Sequence, residues 1–149
     1  MYRRILVPVD GSSAAARGLR EAIRLAKAQR ARLRLVHVVD ETSILGLAEG
    51  AVDPGPVLAS LSRAARSLLE RARRSAEKSG VRAEVALHES FGGRAADAIL
   101  REAKKWRADL IVAGTHGRRG VRRLVLGSDA EQIVRLSPVP VMLVRGPAR

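Results

Sequence analysis

Five short apolar runs, separated by stretches whose apolar residues recur at helical spacing, constrain this chain more than any other feature. Tyr2–Val9 (YRRILVPV), Arg32–Val39 (RLRLVHVV), the alternating Val81–Leu87, Leu110–Ala113 and Val141–Val144 have the length and composition of strands. After the first run, Ala15, Leu19, Ala22-Ile23 and Ala26 share one side of a helix, while Arg17, Arg20, Arg24 and Lys27 share the other. Ser12 or Ser13 caps that helix, and its basic stripe reads as a solvated face. Pro56 opens a second helix, with Leu58, Leu61, Ala65, Leu68, Leu69, Ala72 and Ala76 inward and Gly80 at its end. Phe91-Gly92-Gly93 makes a turn into a third, with Ala95, Ala98-Ile99, Ala103 and Trp106 inward. The fourth runs from Ser128 to about Leu136, where Ser137-Pro138-Val139-Pro140 forces the chain out. Residues 41–56, with Gly46, Gly50, Pro54, Gly55 and Pro56, read as a loop placed to cover a ligand. The alternation of strand and helix predicts an α/β fold, an open five-stranded parallel sheet with right-handed crossovers and helices on both faces.

The 149 residues form one domain, and 46% apolar content supplies its core. No apolar stretch is long enough for a membrane span, and MYRRILVPVD lacks the long apolar segment of a signal peptide, so the expected location is the cytoplasm. Absence of cysteine excludes disulfides, thiolate metal sites and cysteine nucleophiles. The net charge of +13 invites a nucleic-acid reading, but the only aromatic residues are Tyr2, Phe91 and Trp106, too few for a stacking platform. Four of the 28 basic residues are lysine, a bias that genome base composition explains equally well. Neither nucleic acid nor a membrane is therefore expected as a partner.

In an open parallel sheet, ligands bind beyond the carboxyl ends of the strands, where the strand order reverses. Three features fall there: Asp10 after the first strand, Val38–Asp40 at the end of the second, and a loop after the fourth containing Gly114, Gly117 and Gly127-Ser128. A glycine-rich loop leading into a helix start offers unpartnered N–H groups and the positive end of the helix dipole, which suit phosphate oxygens; an ordinary turn is the alternative. Asp10 suits a ribose or base, and its alternative is a turn or capping aspartate. The P-loop and dinucleotide glycine patterns are absent, and the third strand leads into His88-Glu89-Ser90 rather than a phospho-acceptor aspartate. His37 reads as a packed histidine with one satisfied nitrogen, His116 as exposed, and His88 as having no partner. No nucleophile triad, carboxylate pair or metal-ligand cluster marks a catalytic residue or a metal site, so nothing here identifies a catalytic machine.

Gly114-x2-Gly117-x9-Gly127-Ser128, with ILVPVDGS at the start, LVHVVD in the second strand and SPVPVMLVR at the end, resembles the universal stress protein family over essentially the whole chain. The resemblance implies an adenine nucleotide alpha hydrolase-like fold with sheet order 3-2-1-4-5. It implies a homodimer joined along the last strand, around Val141 and Leu143, and bound ATP in one branch of the family. Carried over by position, Pro8, Val9, Asp10 and Val38 surround the adenosine, and Ala113, Gly114, Gly117, Gly127 and Ser128 line the ribose and phosphates. The chain departs from ATP-binding relatives at Asp129 and Ala130, where an apolar residue and then a hydroxyl residue are usual. A first-turn carboxylate favours the helix by roughly 0.3–1 kcal/mol. Facing a triphosphate at about 4 Å, it would cost a few kcal/mol. Three orientations of Asp129 are open: toward solvent, toward a Mg²⁺ ion shared with the phosphates, or into a weakened site. Arg118, Arg119, Arg122 and Arg123 in the same loop either offset that charge or form a solvated basic loop. The expected function is a stress-response dimer that binds ATP, with or without Mg²⁺, and that at most hydrolyses it slowly. The alternative is a nucleotide-free interaction module acting through its basic dimeric surface.

Overall fold

A computed structural model describes residues 1–42, 53–116 and 126–146. The elements run β1 (Arg4–Pro8), α1 (Ser13–Gln29), β2 (Arg32–Asp40), α2 (Gly55–Lys78), β3 (Ala83–Ser90), α3 (Ala95–Trp106), β4 (Leu110–Gly114), α4 (Ser128–Leu136) and β5 (Val141–Val144). They form the expected parallel sheet, in the order β3-β2-β1-β4-β5. β1 is central because its apolar run is covered on both sides. Ile5 and Val7 join Leu33, Leu35, Leu110 and Val112 against Leu19 and Ile23 of α1 and Leu69 of α2. Leu6 joins Val36, Ile111 and Ala113 against Ile99 and Ala103 of α3 and Ile133 of α4. Each such large side chain contributes about 1.5–3 kcal/mol when fully buried, so the two layers fix β1 and with it the strand ends on either side.

Some boundaries differ from expectation. β3 begins at Ala83 and continues to Ser90, because β2 runs on to Asp40 and pairs with it through Asp40↔Ser90. Val81 lies before the strand and is buried under the end of α2, its N–H on the Ala76 carbonyl. The inward alternation fails at Val85, which is 41% exposed on this edge strand. α1 and α3 end at Arg30 and Arg107 in left-handed conformations (φ 56° and 55°), where the sequence shows no glycine. The next residues, Ala31 and Ala108, are buried and donate back to the carbonyls of Ala26 and Ala103. Packing of the residue after the turn thus holds a conformation that glycine adopts without cost. The basic stripe Arg17, Arg20, Arg24 and Lys27 is exposed, as expected of a solvated face. Within 41–56, residues 43–52 lie outside the described residues.

Candidate functional site

The carboxyl edge of the sheet is built around the turn from β1 into α1. Asp10 Oδ1 accepts the Ser12 N–H at 2.8 Å, and Gly11 takes φ 82° to close that turn. Ser12, rather than Ser13, caps α1: its Oγ accepts the Ala15 N–H at 3.1 Å. The same hydroxyl donates to the His116 carbonyl at 3.3 Å, tying the β1 turn to the loop that leaves β4. Thr115 donates its N–H to the Val144 carbonyl at 3.0 Å, and Gly127 donates its N–H to the Thr115 carbonyl at 2.8 Å. The two ends of the glycine loop are therefore pinned together beside β5. Gly127 is the N-cap of α4 and supplies no side-chain acceptor, so the first-turn N–H groups of that helix are left to other partners. Among the described residues, Thr115 Oγ1 is buried with no hydrogen-bond partner. A buried hydroxyl in that state is an unmet donor, and a phosphate or ribose oxygen would satisfy it. Sequence reading missed Thr115, although it lies inside the glycine motif.

The expected residues converge on this edge through the strand order, since β1 lies between β2 and β4. Pro8 ends β1 half-buried, and Val9 is buried with its N–H on the Val36 carbonyl at 2.8 Å. Val38 lies in β2 beside His88 of β3. Ala113 is buried in the α3–α4 layer, which leaves only its backbone for a ligand. Ser128 is exposed at the first turn of α4. At Gly114 the structure corrects the physical reason for the glycine. A Cβ there would lie 2.7 Å from the Ala14 carbonyl carbon and 2.8 Å from the Ala15 nitrogen, so the missing side chain makes room for α1. Gly18 of α1 faces the same contact, its would-be Cβ 3.5 Å from the Gly114 nitrogen. Gly117, Arg118, Arg119, Arg122 and Arg123 lie outside the described residues.

Asp129 is turned toward α3. Its Oδ1 accepts the Ala96 N–H at 3.2 Å in the first turn of that helix. Gln132 reinforces the contact, donating to Asp97 Oδ1 at 2.6 Å and accepting from Arg94 Nη1 at 2.8 Å. Ala130, where the family resemblance implies a hydroxyl residue, is buried.

Two histidines have defined partners. His37 is buried, with Nδ1 2.6 Å from the Val9 carbonyl; a carbonyl only accepts, so Nδ1 carries the proton. His88, expected to be alone, has Nε2 2.9 Å from Glu102 Oε2. Glu102 is 2% exposed and also meets Arg34, whose Nε lies 2.9 Å and Nη2 2.8 Å from Oε1; Arg34 reaches on to Glu84 at 2.7 Å. Burial alone would raise the Glu102 carboxyl, but the hydrogen bonds and charges of Arg34 and His88 outweigh it and hold the group below the usual carboxylate range. Periodicity could not find this network, because it joins β2, β3 and α3. His116 is half-buried rather than exposed. Among the described residues no group of His, Cys, Asp or Glu is arranged to hold a metal ion, and no helix is long and apolar enough to cross a membrane.

The universal stress protein family model matches residues 1–145. The chain is 34% identical to Universal stress protein MJ0531 of Methanocaldococcus jannaschii, over 100% of this chain and 85% of that protein. It superposes on the structure of hypothetical protein MJ0577 with a TM-score of 0.85 at 24% identity, covering 100% of this chain and 99% of that one, a likeness of fold. A universal stress protein solved in complex with cAMP matches with a TM-score of 0.67 at 26% identity, covering 97% of each chain. The chain belongs to the universal stress protein family.

Proposed function

We propose that this protein binds an adenine nucleotide, ATP, in the crevice at the ends of β1 and β4, and acts in the cytoplasm as a stress-responsive homodimer whose surface or stability changes with occupancy. The observation that carries this reading is the set of unmet donors where the strand order reverses. Among the described residues the buried Thr115 hydroxyl has no partner, and the first-turn N–H groups of α4 have no side-chain cap. Asp10, Val9 and Val38 are the residues for the adenosine, and Gly114, Gly117, Gly127 and Ser128 those for the ribose and phosphates, with Mg²⁺ as the phosphate counter-ion. The family member solved with cAMP supports an adenine nucleotide as the ligand class.

A second reading, a nucleotide-free interaction module, is favoured by Ala130, which supplies no hydroxyl to a phosphate, and by the exposed basic stripe of α1. One experiment separates them. The purified protein is denatured and the released material chromatographed, and its melting temperature is followed with millimolar ATP and Mg²⁺. Release of an adenine nucleotide, or a clear ATP-dependent rise in melting temperature, supports the first reading. An empty protein with an unmoved melting temperature rejects it.

A further inference from the structure

β1 and β2 pair from Arg4↔Arg32 to Pro8↔Val36, and the last backbone bond between them is Val9 N–H to the Val36 carbonyl. In a parallel ladder, the next rung would run from the Val38 N–H to the Val9 carbonyl. Among the described residues that backbone bond is absent, although β2 continues to Asp40 on its β3 side. The Val9 carbonyl is taken instead by His37 Nδ1 at 2.6 Å. A side chain from within β2 has replaced the backbone donor of the following residue. Val38 has the same strand parity as Val36, whose carbonyl faces β1. It therefore turns its N–H and C=O past the end of β1, toward the crevice.

We propose that His37 is a positioning residue of the site: by occupying the Val9 carbonyl it stops the β1–β2 ladder one rung early and keeps the Val38 N–H and C=O available to a ring edge that presents an acceptor beside a donor. This rests on the nucleotide reading for its ligand and on the ladder alone for its mechanism. Adenine carries such an edge. Hypoxanthine, with a carbonyl in place of the amino group and a ring N–H beside it, presents the reverse pattern and is disfavoured.

Amide hydrogen exchange resolved by residue, with ATP and ITP as probes, tests both parts. In the parent without nucleotide, the Val38 amide exchanges at least about tenfold faster than the Val36 amide, whose ladder bond is made. In His37→Phe, which keeps a buried ring but has no donor, the Val9 carbonyl is released. Val38 then becomes protected to the level of Val36, and ATP affinity falls about tenfold, the worth of one lost hydrogen bond. His37→Gln retains a donor and restores both rapid Val38 exchange and ATP affinity to within a few-fold of the parent. A Val38 amide already protected in the nucleotide-free parent overturns the proposal without any variant. So does a well-folded His37→Phe protein with parental ATP affinity and parental preference over ITP. If Val38 responds to His37→Phe as expected while the parent binds no ATP, the ladder mechanism stands and the nucleotide reading fails.

Discussion

The carboxylate of Asp129 in α4 accepts the backbone N–H of Ala96 in α3 at 3.2 Å, so the charge at the start of one helix caps the start of its neighbour. Of the three orientations the sequence left open, the structure takes the exposed one, and it adds a contact to α3 that the sequence did not show. Asp129→Ala removes a cap-like bond from α3 and is expected to cost about 1 kcal/mol of stability, read as a lower urea midpoint. ATP affinity should change by no more than about twofold. If the charge faced the phosphates, the same substitution would tighten ATP by about tenfold or more, since relief of a few kcal/mol is at stake.

Gly114 separates fold from ligand. A Cβ there meets backbone atoms of Ala14 and Ala15 at 2.7 and 2.8 Å, and helix backbone cannot swing aside as a flexible side chain can. Gly114→Ala should therefore lower stability by about 1–3 kcal/mol with or without ATP. Gly117→Val is expected to behave oppositely, leaving the apo melting temperature near the parent's while abolishing its rise with ATP. Comparable ATP stabilisation in Gly117→Val and the parent would remove that glycine from the site.

These contrasts mark what the sequence carries in readable form. Helical and strand periodicity report burial, and burial sets the sheet and both core layers, so Ile5, Leu6, Val7, Leu110 and Ile111 lie where the pattern requires. The glycine motif was legible as spacing but not as cause: at Gly114 the neighbour is α1. Bonds between elements distant in sequence left no periodic trace. Asp129 with Ala96 and Glu102 with Arg34 and His88 depend on how two helices and two strands are brought together. Arg30 and Arg107 were hidden for another reason, since packing at Ala31 and Ala108 replaces the glycine signal.

Glu102 predicts an acid-sensitive fold. Its carboxyl is held below the ordinary value of 4.5 in the native protein, so the unfolded chain binds this proton more readily. The stabilisation is fully present above the unfolded value and is lost as pH falls through the folded one. The parent's urea midpoint should drop as pH falls below 4.5, and Glu102→Gln, which cannot titrate, should flatten that drop. At neutral pH, Glu102→Ala leaves Arg34 with Glu84 as its remaining carboxylate and should cost about 1–3 kcal/mol. Equal acid slopes in the parent and Glu102→Gln would assign the acid sensitivity to other groups.

The open edge of β5 supplies the last prediction. Pro140 and Val144 turn their carbonyls to β4, accepting from Ile111 and Thr115, so by strand parity Val141 and Leu143 turn their N–H and C=O groups outward. Met142 is 39% exposed on the same strand. An apolar edge of this kind favours pairing with a second copy, which would satisfy the outward groups. Light scattering at micromolar concentration is expected to give twice the monomer mass. Leu143→Pro deletes one outward donor at a position where an edge strand tolerates proline, and should yield monomer with a largely retained melting temperature. A parent protein that scatters as a monomer rejects the dimer, and a Leu143→Pro dimer as stable as the parent's places the interface elsewhere.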